Sequence, residues 1–145
     1  MKYTAAFSVK LRIPRERAWD KLKDLSLAPC YVPGVKAMDF ITRKREGVGA
    51  ARIVYPQKLK EEVISWKPGK EILLGLSKKG RERFFPFKKS VFRYSLSETG
   101  QTFMRLSLEY EPMMGRFGNL LFGGIIKKRI IKTAKSLENF YKIRQ

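Results

Sequence analysis

Histidine is absent from the chain, and cysteine occurs once, as Cys30. The first absence excludes histidine-dependent catalytic triads, zinc sites with histidine ligands and imidazole acid–base chemistry near neutral pH. The second excludes an intrachain disulfide and any cysteine-cluster metal site, and it suits a reducing cytoplasm. Beside Pro29, with no activating base nearby in sequence, Cys30 is expected to be a small buried residue. Long apolar runs are missing as well: Leu120 to Ile126 is the longest, far below the roughly 20 residues that cross a bilayer. Met1 to Lys10 shows no basic-then-apolar leader pattern. The chain is therefore read as cytoplasmic, without metal or cofactor, and not integral to a membrane.

Acid is also scarce, with 13 Asp plus Glu against 32 Lys plus Arg and a formal charge of +19. Such a field attracts polyanions, either anionic lipid headgroups or, as the weaker reading, nucleic acid. The bland alternative is a lysine-rich surface that serves only solubility. Few carboxylates also means few acid–base pairs: the candidates are Asp39, Glu61, Glu62, Glu109 and Glu111, of which adjacent Glu61 and Glu62 point to opposite faces of a strand. A lone interior carboxylate at Glu61 has two readings, a general acid with a raised pKa or a partner for an arginine such as Arg52 or Arg93.

What is present describes one folded domain over residues 1–145, since 43 % hydrophobic and 31 % charged residues are globular proportions and the length supports a single core. Tyr3, Ala5, Phe7, Val9, Leu11 and Ile13 alternate with polar residues, the period of a half-buried strand that stops at Pro14. Proline suits a helix start, and Arg15 to Leu25 is read as a short helix anchored by Trp19, with at most one further turn around Leu27 to Tyr31. Six strands follow at Val35–Lys44, Ala50–Tyr55, Leu59–Trp66, Glu71–Ser77, Lys88–Ser97 and Thr102–Glu111, parted by glycine- and proline-bearing turns. Gly47-Val48-Gly49 is one of those turns, because it lacks the third glycine and the strand-to-helix setting of a dinucleotide loop. In the last two strands Phe92, Tyr94 and Leu96, then Met104, Leu106, Leu108 and Tyr110, define one apolar sheet face, with Arg93, Ser95, Arg105, Ser107 and Glu109 on the other.

Residues Arg116 to Tyr141 contain no proline, and Asn119, Ile126, Ile130, Ala134, Leu137 and Tyr141 mark one helical face. Lys127, Lys128, Arg129, Lys132 and Lys135 supply the wet face. In the first half, Gly118, Gly123 and Gly124 sit among bulky apolar residues, where each costs about 1 kcal/mol relative to alanine. The expectation is a helix packed tightly at its C-terminal half that roofs a cavity at its glycine-bearing half.

These segments together resemble the helix-grip, START-like superfamily often labelled SRPBCC, in its polyketide-cyclase/dehydrase-like branch. The likeness is carried by Ile13-Pro14 with Trp19, by Tyr31 to Val35, Gly47 to Arg52 and Glu61 to Gly69, and by Met114 to Gly118 at the start of the final helix. Leu27 to Val35 also resembles the carbon-monoxide-dehydrogenase-associated branch of the same superfamily. The resemblance implies an α+β fold, a seven-stranded curved antiparallel sheet wrapped around a long C-terminal helix, with an internal cavity for an apolar small molecule or lipid. Cyclase-like members lead to an alternative, a cyclase- or dehydratase-type enzyme using an interior carboxylate. The missing histidine favours a binding protein over an enzyme.

The expected ligand-binding residues are Trp66, Leu74, Phe92, Tyr94, Met104, Leu106, Leu108 and Tyr110 from strands, with Asn119, Phe122, Gly123 and Ile126 from the helix. Tyr94, Tyr110 and Asn119 are the expected polar groups. The basic loop Lys78 to Lys89, which carries Phe84, Phe85 and Phe87, either seals the cavity mouth or meets a lipid interface or single-stranded nucleic acid.

Overall fold

The computed structural model describes residues 1–143. Strand β1 (Tyr3–Leu11) leads into α1 (Arg15–Leu22), a single 3-10 turn at Leu25–Leu27 and α2 (Ala28–Tyr31). Strands β2 (Ala37–Phe40), β3 (Ala51–Tyr55), β4 (Leu59–Lys67), β5 (Glu71–Lys78), β6 (Phe87–Glu98) and β7 (Thr102–Pro112) precede the final helix α3 (Gly115–Ile143). Each strand pairs antiparallel with its neighbour in the order β1-β7-β6-β5-β4-β3-β2. The first strand therefore closes onto the last, and the fold is the expected seven-stranded sheet with one long helix.

Local chemistry explains where the observed elements depart from those expected. The helix read as running to Leu25 ends at Leu22, because Asp24 adopts an extended backbone and its carboxylate accepts from the Ser26 amide at 3.1 Å. Such side-chain capping competes with helix continuation. The strand expected over residues 35–44 shrinks to Ala37–Phe40, since Thr42 takes over the edge: its hydroxyl donates to the Lys44 carbonyl at 2.7 Å and accepts from the Ala51 amide at 3.1 Å. Gly47 and Gly49, at φ of +78° and +95°, form the turn that follows, a conformation that glycine alone adopts without steric cost.

A bulge at Ile64 decides which β4 side chains enter the interior. Val63 stands opposite Leu74, but Ser65 stands opposite Leu73 and Trp66 opposite Ile72, so the register slips by one residue. Glu61, Val63 and Trp66 consequently share the inner face, which strict alternation forbids. Ile64 lies outside, over the flat spot left by Gly75.

The core lies between the concave sheet face and α3. Ile72 and Leu74 of β5, Tyr94 and Leu96 of β6, and Met104 and Leu106 of β7 form one buried cluster with Ile130, Ala134, Leu137 and Tyr141 of α3. Each large side chain buried there contributes roughly 1.5–3 kcal/mol. The Tyr141 hydroxyl donates to the Ala18 carbonyl at 2.6 Å, which ties the end of α3 to α1.

Candidate functional site

A cavity of about 390 Å³ lies under the middle of α3. Its walls come from every layer: Val54 of β3, Leu59 and Glu61 of β4, Leu76 of β5, Phe92 of β6 and Leu108 of β7 on the sheet side, with Phe122, Ile126, Ile130 and Thr133 of α3 opposite. Val32, Pro33 and Val35 close one flank, and Phe85, Pro86 and Phe87 of the basic loop close another. Phe85, 68 % exposed, and Ile125, 60 % exposed, are lining residues in contact with solvent, so the mouth opens beside the first half of α3. Phe85 packs edge-on against Phe122 with ring centroids 5.1 Å apart, joining loop to helix at that mouth.

Among the residues expected from sequence, Phe92, Leu108, Phe122 and Ile126 line this space. The others lie elsewhere. Leu74, Met104 and Leu106 are closed into the core, and Trp66 packs edge-on against Trp19 at 5.3 Å. Tyr94 is buried against Tyr31. Tyr110 donates to Asn119 Oδ1 at 2.5 Å, so the two polar groups satisfy each other rather than face the cavity.

Of the glycines expected to make room for a cavity, Gly118 serves a different purpose. A Cβ on Gly118 would lie 1.9 Å from the Met113 carbonyl oxygen, so this glycine admits the incoming chain rather than a ligand. On Gly123 a Cβ would meet Asn119 Oδ1 at 2.9 Å, and on Gly124 it would point into open space. Cys30, expected to be buried, is exposed.

The polar chemistry beside the cavity comes from residues that strand alternation alone does not select. Arg52 of β3, 1 % exposed, stands directly opposite Glu61. Its Nε donates to Glu61 Oε1 at 2.8 Å and its NH2 group reaches the same oxygen at 2.6 Å, while NH1 donates to the Leu25 carbonyl. Burial works against the guanidinium charge, but the Glu61 carboxylate more than offsets it and holds Arg52 above its ordinary pKa. Tyr31 and Tyr94 extend the group, their rings edge-on with centroids 6.4 Å apart, and burial pushes both hydroxyls up. The sequence signal for this cluster was an Arg52 inside an otherwise apolar strand with a carboxylate in the next one. Arg93, the other expected partner, instead approaches Glu71 at 3.8 Å. Other polar wall groups are Gln57, Arg129 and Thr133, whose hydroxyl donates to the Arg129 carbonyl at 2.9 Å.

No protein-family model and no curated protein matches the chain in sequence. Solved structures do match in shape. Norcoclaurine synthase from Thalictrum flavum, in complex with dopamine and hydroxybenzaldehyde, superposes with a TM-score of 0.76 at 13 % identity, over 100 % of this chain and 89 % of that one. The major latex-like protein 151 of Panax ginseng gives 0.74 at 14 % identity over 97 % and 98 %. Ara h 8.0201 gives 0.71 at 12 % identity over 97 % and 98 %. With coverage nearly complete in both directions, the architecture is shared end to end, and the chain has the helix-grip fold. At such identities the likeness concerns the fold, and chemistry has to be argued from the cavity.

Proposed function

We propose that the chain binds a hydrophobic small molecule or lipid in the cavity under α3, as a carrier or accessory factor of the START-like type in the cytoplasm. The observation that supports this best is the wall itself: Val54, Leu76, Phe92, Leu108, Ile126 and Ile130 enclose about 390 Å³, within the range of roughly 300–1,000 Å³ typical of ligand sites. A neighbour of the same fold holds two small aromatic molecules, dopamine and hydroxybenzaldehyde. The polyketide-cyclase-like branch rests on the sequence segments alone.

Glu61 sets the polar preference. Both Arg52 contacts fall on Oε1, so Oε2 is the acceptor offered to a ligand, and an apolar molecule with one hydrogen-bond donor fits best. The same pairing weighs against the cyclase or dehydratase reading. A carboxylate that receives two guanidinium N–H groups on one oxygen is arranged to accept hydrogen bonds, not to hand a proton to a substrate.

The test is titration with a neutral naphthylamine probe, together with native mass spectrometry of the purified protein for bound lipid. Leu76→Trp and Leu108→Trp, which fill the space from two strands, are expected to weaken probe binding about ten-fold or more. Probe binding unaffected by either substitution, in variants that retain the native fold, would overturn the cavity reading.

A further inference from the structure

The first half of α3 presents apolar side chains to solvent instead of to the core. Phe117 is 59 % exposed, Leu120 79 %, Leu121 50 % and Ile125 60 %. These positions fall at the three- and four-residue steps of one helical stripe. Phe85, from the basic loop, lies beside them through its contact with Phe122. Isolated exposed apolar residues are ordinary, but a contiguous patch of this kind marks an interaction surface.

Charge identifies the partner. Residues 112–137 contain no Asp or Glu, while Arg116, Lys127, Lys128, Arg129, Lys132 and Lys135 lie among them. Among the described residues no salt bridge involves Arg116, Lys128 or Arg129, or Arg83 and Lys88 on either side of Phe85. We propose that the exposed face of the first half of α3, with Phe85, is a docking surface for an anionic lipid bilayer, its apolar side chains entering the acyl boundary and its unpaired cations meeting the headgroups.

Two other occupants fit less well. A second copy of the chain would bring one cation-bearing face against another, in a molecule that already carries +19. Nucleic acid would satisfy the cations, but leucine and isoleucine offer bases no stacking platform. A bilayer satisfies both halves of the surface. This inference rests on the surface and stands apart from the cavity reading, although the cavity mouth opens at the same place.

The experiment is co-sedimentation of the full chain with vesicles of phosphatidylcholine alone or with about a third phosphatidylglycerol. Binding is expected only to the anionic vesicles, and to weaken as salt rises. Phe117→Ser with Leu120→Ser, neither of which lines the cavity, is expected to lower the partition about ten-fold or more, and Arg116→Glu with Lys128→Glu to lower it similarly. Leu120→Trp provides a readout that needs no loss of binding. Trp19 and Trp66 are packed against each other in the interior, so a blue shift on adding vesicles reports the indole introduced at position 120 entering the interface. Probe titration in the cavity, run on the same serine variants, is expected to be unchanged and separates failure of docking from failure of the ligand site. The proposal is overturned by vesicle binding that ignores the serine substitutions and gives no blue shift, by a dimer that the same substitutions dissolve, or by a shift of single-stranded RNA without vesicle binding.

Discussion

At the scale of single residues, the molecule is marked by charge and hydroxyls placed in an apolar interior. Arg52 is the clearest case, because its guanidinium is closed off from water and, among the described residues, neutralised by Glu61 alone. Removing one member of such a pair leaves an uncompensated charge, which costs about 3–5 kcal/mol, whereas replacing both with apolar groups is often neutral or better. Arg52→Met is therefore expected to lose about that much in chemical denaturation, and adding Glu61→Leu to recover most of it. A double variant as unstable as the single one would show that Arg52 acts through packing instead. The buried tyrosines have a pH consequence whose sign follows from the direction of their shifts. Tyr31, Tyr94 and Tyr141 are all held above the ordinary value of 10.0, by burial first. In the unfolded chain they ionise near pH 10, so above that pH the unfolded state binds fewer protons and gains stability relative to the fold. Stability from these groups is thus complete below about pH 10 and falls as pH rises, by up to about 1.4 kcal/mol per unit for each tyrosine. Denaturation curves of Tyr141→Phe should show a shallower alkaline decline, together with a loss of about 1 kcal/mol at neutral pH for the bond to Ala18.

At the scale of elements, Gly118, Gly123 and Gly124, three of the four glycines of α3, have three different surroundings, and substitutions there separate packing from propensity. Gly118→Ala would force a Cβ against the Met113 carbonyl oxygen. The start of the helix must then move off β7, and thermal denaturation is expected to show a loss of about 2 kcal/mol or more, as overpacking does. Gly124→Ala meets nothing and is expected to gain about 0.5–1 kcal/mol from helix propensity alone. Equal effects at the two positions would contradict the close approach at Gly118. The helix is also divided along its length. Ile130, Ala134, Leu137 and Tyr141 are buried, while Phe117, Leu120 and Leu121 are not, so the first half buries fewer apolar side chains; the Tyr110–Asn119 hydrogen bond and the Phe85–Phe122 edge contact help to hold it.

At the scale of the whole molecule, the sheet curves enough to leave a volume that α3 spans without filling. A ligand that occupies this space only in the folded state stabilises it by mass action, about 2.7 kcal/mol at a hundred times its Kd. For a chain of this length that is a rise in Tm of roughly 5–10 °C. The same addition should leave the Tm of Leu76→Trp nearly unmoved, because the introduced ring takes the place of the ligand. A rise of equal size in the filled variant would place binding outside the cavity.

The period-two pattern of Tyr3 to Leu11, the alternation in β6 and β7, and the apolar spacing from Ile126 to Tyr141 were legible as written, since each records locally which side of an element faces away from water. The seven strands and the terminal helix follow from them, and so did Phe92, Leu108, Phe122 and Ile126 as inward-facing positions. Which inward-facing residues touch empty space is a different matter. Leu74, Met104 and Leu106 carry the same pattern as Leu108, yet they are closed into the core while Leu108 lines the cavity, and only the tertiary packing separates them. The bulge at Ile64 brings Glu61 and Trp66 to one face, and the β3–β4 register sets Arg52 against Glu61. Both arise from pairing between strands, as does the contact that makes Gly118 a packing residue, and a linear pattern holds no record of a partner strand's register.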